Sequence, residues 1–341
     1  MTERVITLRE AVNEALRQEM ERDPTVFLMG EDIAGGAGRA EQGIVDAWGG
    51  AFRTTKGLIT RFGPDRVRDT PISEAGYIGA GIGSAVVGMR PVCELMFVDF
   101  VGVCLDQLMN QAAKMRYMYG GKVKVPFTLL TSTGAGVGSA AQHSQSLYAL
   151  FAHIPGLKGV VPSDPYTAKG LLISAIRDDD PVVVFFHKRL YGRKGPVPEE
   201  PYTLPLDRAR VVREGRDITL VGLGMTVWTC LEAADRLAEE DGLEAEVVDL
   251  VSISPIDYDT VLDSVRRTHR LLVVDEENPR CSIASEVCAA VADEGFDDLD
   301  APPRKVTAPH TPVPYSRPLE QAYLPTPERV VQAVRDLLGQ G

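Results

Sequence analysis

Apolar and polar positions follow two different spacings along the first part of the chain. Short apolar runs such as TVFLMG, RPVCELMF, VPFTLLTST and PVVVFF are typical of buried strands. The longer segments between them predict helices, and before LREAVNEALRQEMERD the residues Thr7 and Glu10 have the spacing of a capping box. Short buried strands that alternate with helices predict an α/β fold with a parallel sheet covered on both faces.

A proline-rich stretch divides the chain into two such regions. Residues 192–205, GRKGPVPEEPYTLP, contain four prolines and two glycines, which is typical of a stiff linker. Beyond it the alternation starts again, with DITLVGLG and HRLLVV as strands and TVWTCLEAADRLAEEDG as a helix. We predict a first α/β domain over residues 1–195, a linker over 196–207 and a second α/β domain over 208–341. The glycine-rich residues 33–56 predict a long surface loop, and loops of that length are often functional.

The composition argues against several classes of protein. The 341 residues carry a formal net charge of −12, which disfavours general nucleic-acid binding and attachment to anionic membranes. Five cysteines without a CxxC pair predict reduced thiols. The N-terminus has an amphipathic pattern rather than that of a signal peptide, and no apolar run reaches the length of a membrane span. We therefore expect a cytoplasmic protein with neither nucleic acid nor membrane as a partner.

One carboxylate, Glu74, precedes a segment that has almost nothing else to ionise. In DTPISEAGYIGAGIGSAVVGMRP this acid comes just before a helix-like run of Gly, Ala, Ile and Val. A carboxylate at the start of a helix can be a solvated cap favoured by the helix dipole, or a buried acid with a chemical task, and the residues alone leave both open. Gly79, Gly81 and Gly83 do not have the GxGxxG spacing of a dinucleotide site, so a closely packed helix of small residues is the better interpretation.

A second candidate is His143 in SAAQHSQS, which follows the glycine-rich TGAGVG. An imidazole at that position suits proton transfer near neutral pH, but it can also be a hydrogen-bond donor that orders the loop. His187, which follows VVVFF, is either structural or faces the same cleft. The chain has no GxSxG elbow and no P-loop. It also lacks a GDG sequence with a downstream Asn, the pattern that holds magnesium diphosphate in thiamine enzymes.

Several segments, in order, resemble one known family over nearly the whole chain. They are DTPISE, ELMFVDF, DQLMNQAAKMRYMYGG, AAQHSQ and HIPGLKGVVPSDPYTAKGLLISAIRDDDPVVVF. These segments are similar to the beta subunits of thiamine-diphosphate-dependent 2-oxo acid dehydrogenase complexes. Within that family, GEDIAGGAG, DAWGG and TKGL most resemble the acetoin dehydrogenase type, with the pyruvate and branched-chain types as close competitors. The resemblance implies two parallel-sheet domains of the transketolase type, a pyrimidine-binding domain followed by a transketolase C-terminal domain.

The resemblance also implies roles for individual residues. The acid of DTPISE is Glu74, which in the family contacts a ring nitrogen of the cofactor's pyrimidine and so promotes formation of the reactive ylid. The histidine of AAQHSQ is His143, which in the family serves proton transfer and the lipoyl step. Glu31 of GED matches a residue on an acidic path between paired active sites. The positions that match the walls of the pyrimidine pocket are Ile72, Met96 and Phe100.

A structural cation is a further implication of the resemblance. The family has a monovalent-cation site built from main-chain and side-chain oxygens, for which potassium is the candidate ion. The matching positions in this chain are Phe127, Ala175, Ile176, Asp178 and Asp180. Asp180 stands where some relatives have Asn, which bears on the selectivity for potassium.

The missing GDG pattern fits a family that divides the cofactor between two chains. The alpha subunit binds the diphosphate and Mg²⁺, and the beta subunit binds the pyrimidine of thiamine diphosphate. The resemblance therefore implies an α2β2 heterotetramer that works with a lipoyl acyltransferase. The implied reaction cleaves acetoin, releases acetaldehyde and passes the two-carbon unit to the lipoyl group, with pyruvate or branched 2-oxo acids as alternative substrates. A catalytically silent docking module is the alternative of another class, and the presence of Glu74, Phe100 and His143 argues against it.

Overall fold

The computed structural model describes residues 4–35 and 49–339. Much of the predicted loop at 33–56 lies outside the described residues. The chain divides into two compact units. The first comprises Met1–Thr133 and Phe151–Leu206, and the second comprises Gly134–Leu150 and Asp207–Gly341. In the part of the chain that the structure describes, no helix is long and apolar enough to cross a membrane.

The first unit is built on parallel strands. In chain order the strands are β1 (Val5–Thr7), β2 (Val26–Gly30), β3 (Val67–Asp69), β4 (Arg90–Phe97), β5 (Thr128–Thr133), β6 (Lys158–Val160), β7 (Val182–His187) and β8 (Lys194–Pro196). Strands β6, β7, β5, β4, β2 and β3 are neighbours in that order, and each neighbouring pair is parallel. Every residue of β5 and β7 is buried, as expected for parallel strands covered on both faces. Strands β1 and β8 form a separate antiparallel pair.

The described helices up to β7 are α1 (Leu8–Arg22), α2 (Leu58–Phe62), α3 (Glu74–Val86), α4 (Val101–Asp106), α5 (Ala113–Met118), α6 (Tyr148–Ala152) and α7 (Pro165–Arg177). They include the predicted ones, and the short helices α2 and α6 were not predicted from the sequence. Helices α4 and α5 are the two ends of the long helix predicted after β4, and a π-helical segment, Gln107–Ala112, joins them. Short 3-10 turns occur at Val98–Phe100 and Lys188–Leu190.

Two local predictions about helices can be checked directly. The Glu10 N–H donates to Thr7 Oγ1 at 3.2 Å while the Thr7 N–H donates to Glu10 Oε2 at 2.7 Å, which confirms the capping box of α1. In α3, a Cβ at Gly81 would lie 2.5 Å from Cys93 Sγ and 3.2 Å from the Phe127 ring. Gly81 is therefore needed because the helix packs directly against its neighbours at that position.

The second unit repeats the α/β pattern. Its strands are β9 (Arg210–Arg213), β10 (Ile218–Gly222), β11 (Ala245–Asp249), β12 (Ser252–Ser254), β13 (Leu271–Val274) and β14 (Arg304–Val306). Its helices are α8 (Met225–Asp241), α9 (Tyr258–Thr268), α10 (Ile283–Glu294), α11 (Arg317–Tyr323) and α12 (Pro327–Leu337), with a 3-10 turn at Phe296–Asp298. The sheet order is β14-β13-β10-β11-β9, in which β9 is antiparallel at the edge. The α/β prediction with mostly parallel sheets is confirmed for both units.

Candidate active site

The carboxyl ends of three neighbouring strands gather the predicted site residues of the first unit. Gly30, at the end of β2, pairs with Asp69 at the end of β3 and with Glu94 in β4. Glu31 follows β2, and Glu74 begins α3 a few residues after β3. Because the strands are parallel, these residues emerge at one edge of the sheet, where ligands bind in open α/β folds.

Glu74 is a buried acid rather than a solvated cap. Its exposed fraction is only 6%, although it occupies the first turn of α3. Ser73, at the cap position, makes no side-chain capping hydrogen bond. Within residues 4–35 and 49–339, no hydrogen bond or ion pair to the Glu74 carboxyl group is found. A mostly buried side chain whose carboxyl group has no partner among these residues is open to a ligand that offers a ring nitrogen.

Two further carboxyl groups interact electrostatically with this site. Burial raises the pKa of Glu31, and the charges of Glu74 and Asp32 raise it further. Burial also raises the pKa of Glu94 to about 7, and the charge of Glu31 raises this pKa further. A hydrogen bond from Thr54 Oγ1 at 3.2 Å acts in the opposite direction and lowers it. Glu31 and Glu94 are therefore electrostatically linked, and the raised pKa of each favours a bound proton.

Glu94 is a residue that the sequence analysis missed. Its Oε1 atom is buried and has no hydrogen-bond partner among the described residues. The Tyr77 hydroxyl donates to the Glu94 main-chain carbonyl at 3.1 Å. The available signal was an acid in the middle of the apolar strand RPVCELMF, because buried acids are rare unless they are paired or functional.

Aromatic and apolar side chains follow Glu94 along β4 and the 3-10 turn after it. Met96 and Phe100, two of the predicted pocket residues, are half-buried. The rings of Phe97 and Phe100 meet edge to face with centroids 5.9 Å apart, and Phe52 packs against Phe97 at 5.6 Å. Ile72, the third predicted pocket residue, is 84% exposed, so its side chain adds no wall to the pocket in this chain alone.

The two candidate histidines have different surroundings. His143 is half-buried on the loop between β5 and α6, which belongs to the second unit. His187 is buried at the end of β7, where its Nδ1 accepts the Arg189 N–H at 3.2 Å. That hydrogen bond caps a 3-10 turn and favours the structural interpretation of His187.

The residues predicted to hold a monovalent cation lie around the end of α7 and the start of β5. They are Phe127, Ala175, Ile176, Asp178 and Asp180. Arg90 Nη1 donates to the main-chain oxygens of Ile176 at 3.0 Å and Asp178 at 2.7 Å. Lys158 Nζ lies 2.7 Å from Asp178 Oδ2 and 3.5 Å from Asp180 Oδ2. These oxygens already face protein cations, so the arrangement does not fit an additional ion unless Arg90 moves.

Metal binding by side chains gives no further candidate. In the described part of the chain, no group of three or more His, Cys, Asp or Glu side chains is arranged to hold a metal ion.

Two known domain families match the chain in succession. Residues 4–194 match the transketolase pyrimidine binding domain, and residues 207–330 match the transketolase C-terminal domain. A solved structure described as a split gene transketolase, inactive beta4 tetramer, has a TM-score of 0.76 and 24% sequence identity, and the match covers 98% of this chain and 99% of that one. At this identity the likeness concerns the fold, and it confirms the transketolase type.

Relatives of known name cover the whole chain. Acetoin:2,6-dichlorophenolindophenol oxidoreductase subunit beta from Bacillus subtilis (strain 168) is 56% identical over 337 residues, 99% of this chain and 98% of the relative. The 2-oxoisovalerate dehydrogenase subunit beta from the same organism is 43% identical over 335 residues, 98% of each. The acetoin type is thus more similar than the branched-chain type. The chain therefore belongs to the beta subunits of thiamine-diphosphate-dependent dehydrogenases, and within that family it resembles the acetoin dehydrogenase type more than the branched-chain type.

Proposed function

We propose that this chain supplies the pyrimidine half of a thiamine diphosphate site in a dehydrogenase that cleaves acetoin. The observation that carries the proposal is Glu74, a buried side chain at the ligand-binding edge of a parallel sheet, whose carboxyl group has no hydrogen bond or ion pair within the described residues. Met96 and Phe100 lie at the end of the neighbouring strand and offer apolar and aromatic surface for a ring. The similarity to an acetoin oxidoreductase beta subunit supports acetoin as the substrate.

Glu74 is assigned the central chemical role in this chain. By resemblance to the family, its carboxyl group would hold a proton at a ring nitrogen of the pyrimidine. The cofactor, when bound, supplies an electron sink for the carbanion that forms when the carbon–carbon bond of acetoin breaks. Glu74 would therefore set the protonation state of the ring, while the closely packed α3 helix behind it keeps water away.

The surrounding residues would hold the ring and supply protons. The half-buried Phe100 would stack on the pyrimidine, and Met96 would contact its edge. Glu31 would belong to a path of acids that carries protons toward Glu74, and its raised pKa favours a shared proton over full ionisation. Exposed Ile72 would complete the pocket only after another chain covers it.

The rest of the site would come from partner chains. We propose an alpha subunit that binds the diphosphate and Mg²⁺ in an α2β2 heterotetramer, since the chain lacks the sequence pattern for that task. A lipoyl acyltransferase would accept the two-carbon unit, and His143 would assist that step. We place the complex in the cytoplasm. A potassium ion at Phe127, Ala175, Ile176, Asp178 and Asp180 stays a proposal that rests on the family resemblance, and it would require Arg90 to leave the main-chain oxygens of Ile176 and Asp178.

The substrate is tested with the chain assembled with its alpha subunit. Purified complex is supplied with thiamine diphosphate, Mg²⁺ and an artificial electron acceptor, and acetoin, pyruvate and 2-oxoisovalerate are compared at equal concentrations. We expect acetoin to give the highest kcat/KM. A higher value for either 2-oxo acid would reject the acetoin assignment and leave the cofactor assignment standing.

A further inference from the structure

The glycine-rich loop that carries His143 does not cradle an external anion. Its glycines at positions 134, 136 and 138 have φ values of +91°, +93° and +75°, which side-chain-bearing residues rarely adopt. Where residues with a left-handed backbone conformation alternate with residues of right-handed conformation, their main-chain N–H groups point to one side and form an anion-binding concavity. Here the Gly136 N–H donates to Glu320 Oε1 at 2.8 Å, and the Gly138 N–H donates to Glu320 Oε2 at 3.0 Å. The anion in the concavity is therefore the protein's own carboxylate.

Glu320 is a buried residue of the second unit. It lies on α11, and only 4% of its surface is exposed. Neighbouring residues of α11 and the segment after it pack with the loop, because Ala135 shares a hydrophobic cluster with Tyr323 and Leu324. The loop and the carboxylate that binds it thus pack together in the second unit, although 184 positions separate Gly136 from Glu320 in sequence.

Two other buried carboxylates hold the loop before and after His143. The Ala135 N–H donates to Glu276 Oε1 at 2.5 Å, and the Ala149 N–H donates to Glu277 Oε1 at 2.9 Å. Both glutamates come directly after β13 and Asp275, and both are buried. Acids of the second unit therefore bind the main chain both before and after His143.

The position of His143 follows from these anchors. The Gly134 N–H donates to the Gln145 main-chain oxygen at 3.1 Å, which closes the loop on itself. Between Gly138 and Gln145 the chain makes one tight turn, in which Ala140 has a φ of +58° and accepts the His143 N–H at 3.4 Å. His143 thus lies on a short span whose two ends are both fixed, one of them through Glu320.

We propose that Glu320 is a positioning residue for His143, which it places by binding the N–H groups of Gly136 and Gly138. This inference rests on the proposed role of His143 in transfer to the lipoyl group. The C-terminal domain would then contribute to the reaction without touching substrate or cofactor. A carboxylate suits the task because hydrogen bonds from N–H groups to a charged acceptor are stronger than those to a neutral one.

The test combines exchange and kinetics on the complete complex of this chain, its alpha subunit and the lipoyl acyltransferase. Glu320→Gln keeps the shape of the side chain but removes its charge. Hydrogen–deuterium exchange of the peptide covering residues 134–150 should accelerate roughly tenfold or more, as expected for the loss of a charge-assisted hydrogen bond. The overall reaction through the lipoyl group should slow by a similar factor, while the artificial-acceptor rate stays close to wild type.

A double-mutant cycle with His143→Ala separates positioning from a general structural effect. If Glu320 acts through His143, adding Glu320→Gln to His143→Ala should cause no further loss in the overall reaction. Losses that multiply, or unchanged exchange in residues 134–150, would overturn the inference. Full activity of His143→Ala alone would instead reject the role proposed for His143, and the exchange result would still show whether Glu320 holds the loop.

A matched control uses another buried carboxylate of the same unit. Asp257 also accepts two main-chain N–H groups, from Ala209 at 3.0 Å and Thr260 at 3.1 Å, and these lie outside residues 134–150. Asp257→Asn should leave exchange in residues 134–150 and the lipoyl reaction near wild type; equal losses in both variants would count against positioning. If Glu320→Gln does not fold, Glu320→Asp, which keeps the charge on a shorter side chain, replaces it in the same double-mutant cycle. We then expect smaller losses in the overall reaction.

Discussion

Replacement of Glu94 by glutamine should change how the stability of the chain depends on pH. Glu94 is buried in β4, and burial raises its pKa from 4.5 in the unfolded chain to about 7 in the folded one. The folded protein therefore binds the Glu94 proton more tightly than the unfolded chain does. The stability contributed by this proton is fully present below pH 4.5 and is lost as the pH rises through 7.

The size of the effect follows from that pKa difference. A pKa change of one corresponds to about 1.4 kcal/mol, so the free energy of unfolding of the wild type should fall by about 3 kcal/mol relative to the variant between pH 4.5 and 8. The amide of Glu94→Gln cannot ionise. Its oxygen can still accept the hydrogen bond from Thr54, so the variant should be at least as stable as the wild type at pH 8.

Urea unfolding of the purified chain at a series of pH values measures this difference. When the free energy of unfolding is plotted against pH, the curves of the wild type and of Glu94→Gln should converge near pH 4.5 and separate steadily up to pH 8. Other buried acids, such as Asp275, titrate in the same range, but they contribute equally to both proteins and cancel in the comparison. The exposed Glu200 gives the control, because Glu200→Gln should leave the curve parallel to the wild type. Parallel curves for Glu94→Gln as well would refute the reasoning.

Three further predictions concern the proposed function. Glu74→Gln in the assembled complex should lower turnover by about 100- to 10,000-fold without changing the melting temperature. If Glu74 were only a helix cap, the variant would lose about 1 kcal/mol of stability and keep its turnover. Rate assays and melting curves of the same sample decide between these outcomes. His143→Ala should slow the overall complex reaction more than the artificial-acceptor assay, and equal losses in both assays would contradict its assignment to the lipoyl step. The chain alone should bind thiamine diphosphate weakly or not at all; tight Mg²⁺-dependent binding in calorimetry would show that it holds the diphosphate half as well.

The sequence by itself determined the order and type of most elements. The apolar runs of β2, β4, β5 and β7 and of β10, β11 and β13 were visible because parallel strands are buried on both faces and read as continuous apolar segments. The capping box of Thr7 and Glu10 was visible because both partners lie within one turn of helix. Family membership was visible because whole motifs, including the one around Glu74, occur in the family order.

The tertiary structure decided what depends on contacts between distant residues. The link between Glu94 and Glu31 depends on the register in which Gly30 pairs with Glu94, and local hydrophobic pattern does not specify the pairing of strands far apart in sequence. The glycine-rich segment before His143 was visible in the sequence, and only the folded chain shows that the Glu320 carboxylate accepts its N–H groups. The spacing of the glycines indicates that main-chain N–H groups can bind an anion. The packing of the second unit determines that this anion is the Glu320 carboxylate.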